Sequence, residues 1–229
     1  MITAEQIMEM YEAITSRVES LNDEKSVNQI KKLFEDFSDR IIETPGNGNT
    51  DLAYCYPGGY IHELYDIITT VEQLCNIWEA TYTQSLIKST ILHSLGKLGD
   101  ESGSYFIPTK DKWRLDRGEK YEYNNNIVFM LVPDRTFYLI QKYGITLTQN
   151  EYLNIKLING LYDESNDKYL RTTKNSAGIE HIILRQAKEI ANNKRVTTQI
   201  KKAKQQPKRE PDQVNAKLNN TVLNLLNTL

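Results

Sequence analysis

The chain has 229 residues, 39% of them hydrophobic and 25% charged, with a net charge of -2. That is the make-up of an ordinary globular chain and excludes a fibrous or wholly disordered one. No run approaches the ~18 uninterrupted apolar residues of a membrane span. The first twenty residues mix charged and apolar groups where a signal peptide would be uniformly apolar, so no membrane partner and a cytoplasmic location are expected. Cys55 and Cys75 lie in no CxxC pair, which predicts two buried free thiols in place of a disulfide or a zinc knuckle.

Two helices are predicted at the start. Ile7, Met8, Tyr11, Ile14 and Val18 recur at helical spacing, followed by Val27, Ile30, Phe34, Phe37 and Ile41. Thr3 with Gln6 has the form of a capping box, and Asn22 or Asp23 is a candidate N-cap for the second helix. Residues 44–60, rich in Gly, Pro, Asn and Thr, predict a loop. Helical spacing returns from Tyr60 to about Ser94, with a break near Ala80–Gln84. Residues 97–126 predict a long loop with a short hairpin around Tyr105–Trp113. Helices follow at about 134–143, 148–161 (Thr148 as N-cap, Glu151 three residues on) and 176–193. No sustained period-two alternation is present, so the body is expected to be all-α.

The charge is uneven. Lys194, Arg195, Lys201, Lys202, Lys204, Lys208 and Arg209 form a basic arm without an acidic residue, leaving -9 on the rest. Such an arm has the charge to contact nucleic-acid phosphates, though it lacks the aromatics that stack bases. Beyond it, Val214, Leu218, Val222, Leu225 and Leu229 make one apolar stripe, the pattern of a helix that docks in a protein partner's groove.

His62, in the run YPGGYIHELYDI, and His93, in ILHSLGKLGD, lie thirty-one residues apart. With NGLYDE at 159–164 and ILRQAKEIA at 183–191, these stretches resemble, in order, the HD-domain metal-dependent phosphohydrolases. The resemblance spans roughly residues 56–193. It implies an HD-like helical bundle over 44–193; the two helices predicted before it form an extension at 1–43, and 194–229 reads as a basic linker or weakly helical arm with the docking helix. It also implies a metal site, from which this chain departs. Ser94 stands where the family has the Asp of its His-Asp pair, Lys188 where it has its last Asp, and Ile158 and Asn159 where extra histidines often fall. A hard divalent ion draws most of its binding from carboxylates, so His62, His93, Ser94, Lys97, Asn159 and Lys188 are expected to form a vestigial site with no metal and no cofactor. The Lys188 ammonium would donate to His62, His93 or Ser94 in the metal's stead, and Lys97, Arg114 and Lys188 could gather an anion.

The expected role is therefore that of a catalytically inactive binding or assembly component. Degenerate HD proteins of this size resemble those carried by large tailed bacteriophages, where a virion part or an accessory of replication or transcription would fit, in the virion or the host cytoplasm. The competing expectation is a phosphohydrolase whose atypical metal site is completed by Asp66, Asp100 or Asp163. Catalysis by Ser94 with His93 is disfavoured, since adjacent helical residues point about 100° apart. The G-x-x-x-x-G-K-[ST] order of a nucleotide-triphosphate loop is absent.

Overall fold

The computed structural model describes residues 2–172 and 178–205. Residues 1–196 form one compact unit and 197–229 a second. The apolar stripe from Val214 to Leu229, Lys208 and Arg209 lie outside the described residues.

The fold is predominantly helical, as the periodicity requires. Helices α1 (Ala4–Glu19) and α2 (Glu24–Asp36) are followed by the short α3 (Ser38–Glu43), then α4 (Gly59–Ile77) and α5 (Gln84–Leu92). Thr3 closes a full capping box with Gln6. Asp23 occupies the N-cap of α2 but spends its carboxylate on the Ser26 hydroxyl, at 2.5 Å, so no side-chain bond reaches the backbone there. After a 3-10 turn at Leu95–Leu98 come strand β1 (Phe106–Pro108), α6 (Lys112–Asp116) and strand β2 (Tyr121–Tyr123), then α7 (Val132–Lys142), α8 (Gln149–Leu157), α9 (Asp167–Thr172) and α10 (Glu180–Gln205). Thr148 and Glu151 form the second capping box.

Two expectations change. Strand β1 pairs antiparallel with β2, Phe106 opposite Tyr123 and Pro108 opposite Tyr121, so the hairpin is wider than the expected Tyr105–Trp113 and encloses α6. Helix α10 begins later and runs farther than 176–193, so of the two readings of the basic stretch, linker or helical arm, it is helical through Gln205. Among the described residues no helix is long and apolar enough to cross a membrane.

The main core joins Ile14, Val18, Ile30, Leu33 and Phe34 of the first two helices to Ile61, Leu64, Ile68, Ile91 and Leu92. The first forty residues therefore share one interior with α4 and α5. A second cluster packs Ile67, Val71 and Leu86 against Ile158, Ile183, Leu184 and Ala187, which seats α10 on α4 and α5. Cys55 and Cys75 are buried and free.

The irregular stretch after α5 is held by two cations. Arg40 Nη1 donates to the carbonyls of Asp100 (2.5 Å), Gly103 (3.0 Å) and Leu98 (3.3 Å). Arg135, fully buried, pairs with Asp100 and donates to the Val128 carbonyl at 2.6 Å.

Candidate functional site

The start of α4, the end of α5 and α10 bring the charged residues together. Gly58 opens α4 in the left-handed region, φ 76°. Gly59 follows so close to the Tyr54 carbonyl that a Cβ would collide with it, which explains the Gly-Gly pair. Tyr54 is itself left-handed, φ 64°, and fully buried. Its hydroxyl donates to Asp66 Oδ2 at 2.8 Å.

His62 and Asp66 stand one turn apart on α4. Arg195, one of the residues expected in a solvated arm, folds onto both. Its Nε donates to Asp66 Oδ2 at 2.5 Å, and its Nη2 reaches Asp66 Oδ1 at 3.0 Å and His62 Nε2. A guanidinium only donates, so His62 Nε2 must be the acceptor and Nδ1 carries the proton, which goes to the Tyr56 hydroxyl at 2.8 Å. Burial and the Arg195 charge push the His62 pKa down to about 4, against the pull of Asp66. This imidazole is neutral at physiological pH.

The second half of the site lies on α5 and the turn after it. His93, 3% exposed, directs Nδ1 at the Thr90 carbonyl, 2.7 Å away. Burial and the Lys188 and Lys97 ammoniums hold its pKa well below the usual imidazole value. Ser94 is buried and lies against the Tyr60 hydroxyl. Lys97, also buried, is consumed by Glu63 Oε2 at 2.5 Å and the Gly46 carbonyl at 2.7 Å. Lys188 is half-buried and donates to Asn159 Oδ1 at 2.7 Å, rather than to His62, His93 or Ser94 as the sequence suggested.

Arg114 does not join them. Its guanidinium is taken by Glu119 at 2.8 Å and Glu122 at 2.5 Å beside the hairpin, so the expected Lys97–Arg114–Lys188 anion contact is not assembled. The carboxylates that might have completed a metal site are spent as well: Asp66 on Arg195, Asp100 on Arg135, and Asp163 on Lys156 and Ser165. Among the described residues no three His, Cys, Asp or Glu side chains converge as a metal would require. His62 offers its ligating nitrogen to a guanidinium, and His93 sits between two ammoniums. This donor set does not fit a divalent cation.

Sequence reasoning missed Glu63, Tyr54, Tyr56 and the inward role of Arg195. The His62-x-x-x-Asp66 spacing was the one local signal for part of this group. No family model matches the chain, and neither a curated protein nor a solved structure matches it.

Proposed function

We propose that the chain is a catalytically inactive, HD-like helical protein that serves as a binding or assembly component. The observation that supports this reading is Arg195. A guanidinium held by Asp66 and His62 supplies, by covalent attachment, the positive charge that a hydrolase of the resembled family draws from a metal ion, and it takes the nitrogen that would bind that ion. The protein would then act through its surfaces. The apolar stripe Val214, Leu218, Val222, Leu225 and Leu229 is the proposed contact with a protein partner, and a phage virion or a phage replication or transcription assembly is the proposed setting. Nucleic-acid contact through the arm would rest on Lys201, Lys202, Lys204, Lys208 and Arg209, since Arg195 is engaged within the body.

Metal analysis of protein prepared with Mn²⁺, Fe²⁺ or Zn²⁺ tests the inactive centre. The expected result is substoichiometric metal that His62→Ala does not change. Stoichiometric metal lost on that substitution returns the phosphohydrolase reading. For the arm, the informative truncation ends at Val196, because a cut at Asn193 would also remove Arg195 from the body and one at Gln205 would leave Lys201, Lys202 and Lys204 in place. Partner capture or nucleic-acid affinity unchanged by the Val196 truncation removes the tail from the proposal.

A further inference from the structure

The cleft beside the hairpin carries two charges that the fold leaves unanswered. Its volume is about 520 Å³, within the ~300–1,000 Å³ usual for small-molecule sites, and none of its walls comes from the His62 and His93 centre. Arg40 and Glu43, one turn apart on α3, both line it. Arg17, Arg135 and Arg195 each meet a carboxylate, on Glu72, Asp100 and Asp66. Arg40 meets none among the described residues: its Nη1 is spent on three carbonyls, while Nε and Nη2 have no acceptor there. A guanidinium drawn partly out of water without a counter-charge is costly, and it favours whatever anion can reach it. Glu43 is exposed and forms neither an ion pair nor a side-chain hydrogen bond among the described residues.

A cation short of an anion and a carboxylate short of a cation, in one cleft, select for a ligand that brings both signs. A simple carboxylate would meet Glu43 and a simple amine would meet Arg40, like charge against like. An ammonium and a carboxylate on one small molecule answer both. The remaining walls are largely apolar, with Pro45 and Pro57 from the loop before α4 and the rings of Phe106 and Tyr121 from the hairpin. They suit an apolar or aromatic side chain. The backbone adds fixed partners. Thr109 donates to the Lys120 carbonyl and Asn124 to the Tyr105 carbonyl, so the alternation of an antiparallel pair turns the Phe106 N–H and C=O away from β2, at the sheet's open edge. The first can donate to a carboxylate and the second can accept from an ammonium.

We infer that the cleft between α3 and the hairpin binds a zwitterion with an apolar side chain, a free α-amino acid or a short peptide, with Arg40 on its carboxylate and Glu43 on its ammonium. This inference stands whether or not the His62 and His93 centre holds a metal.

The test is calorimetric titration of the full chain at pH 7 with L-phenylalanine, L-leucine and the dipeptide phenylalanyl-alanine. The N-acetyl and amide forms of the tightest binder serve as controls that lack one charge each. The expected result is saturable binding of at least one zwitterion, with both blocked forms bound at least tenfold more weakly. The tighter arm tells free amino acid from peptide. Glu43→Gln should weaken the zwitterion at least tenfold and bring it level with its N-acetyl form. Arg40→Gln should likewise bring it level with its amide. Because Arg40 also holds the stretch from Leu98 to Gly103, circular dichroism checks that this variant is folded, and should it fail to fold, Glu43→Gln and the blocked forms decide. No binding of any of the three zwitterions, blocked forms bound as tightly as the parent, or binding untouched by Glu43→Gln overturns the inference.

Discussion

Helix α4 faces two interiors of opposite character. Ile61, Leu64 and Ile68 enter a layer of Ile, Leu, Phe and Tyr shared with α1, α2 and α5. From the same turns His62, Glu63 and Asp66 enter a seam where Lys97 and Arg195 answer them. In the apolar layer each side chain contributes by the area it removes from water, without regard to direction. In the seam a side chain contributes only while its partner is in place, since a charge left alone in the interior is costly. Loss of one residue is thus a local cavity in the first region and a broken pair in the second.

That contrast can be broken most sharply at Lys97. Lys97→Met should destabilise the fold by about 3–5 kcal/mol in urea unfolding, because Glu63 then remains buried without its cation. The double variant Lys97→Met/Glu63→Gln should recover much of this. Recovery absent from the double would mean that the pair is not the unit. Leu64→Ala, in the apolar layer, should cost about 3 kcal/mol, and its effect should simply add to that of a distant substitution.

Acid titration separates the regions in another way. The folded-state pKa of His62 lies near 4, below the unfolded value near 6.5, and that of His93 is also lowered. The unfolded chain therefore binds protons that the folded one refuses. Stability from His62 is complete above pH 6.5 and is lost as the pH falls toward 4, at up to about 1.4 kcal/mol per pH unit, and His93 acts in the same direction. Unfolding free energies of His62→Gln measured from pH 7 to 4 should show a shallower acid limb; an unchanged slope would mean that His62 charges freely in the folded protein. The smallest effect is expected outside both regions: Thr148→Ala removes the cap of α8 and should cost about 1 kcal/mol by the same unfolding measurement.

The apolar layer was readable in advance and the seam largely was not. Helical spacing of Ile14, Val18, Ile30 and Phe34 is a local property, as are the Thr3/Gln6 and Thr148/Glu151 boxes, and each was found where the sequence put it. Arg195 looked like a solvated arm because its neighbours are basic. Its acceptors, Asp66 and His62, lie well over a hundred residues earlier, and no local pattern announces such a pairing. The pairing of Phe106 with Tyr123 was hidden for a related reason: three-residue strands are too short to display alternation. Helix α9 spans only six residues and buries none of them, which left no apolar stripe to read.

Arg40 has an implication for how this chain can vary. It grips the stretch from Leu98 to Gly103 by carbonyl oxygens, which every amino acid possesses, and so it fixes the path of that stretch without regard to the side chains along it. Ser102, exposed there, is free to drift in identity, while Glu101, paired with Lys142 at 2.6 Å and accepting from the Tyr138 hydroxyl at 2.8 Å, and Gly99, at φ 85° and packed against the Gly103 carbonyl, are not. Related chains should therefore vary at the position of Ser102 while Gly99 stays fixed, with a cation kept some sixty positions upstream to hold the carbonyls.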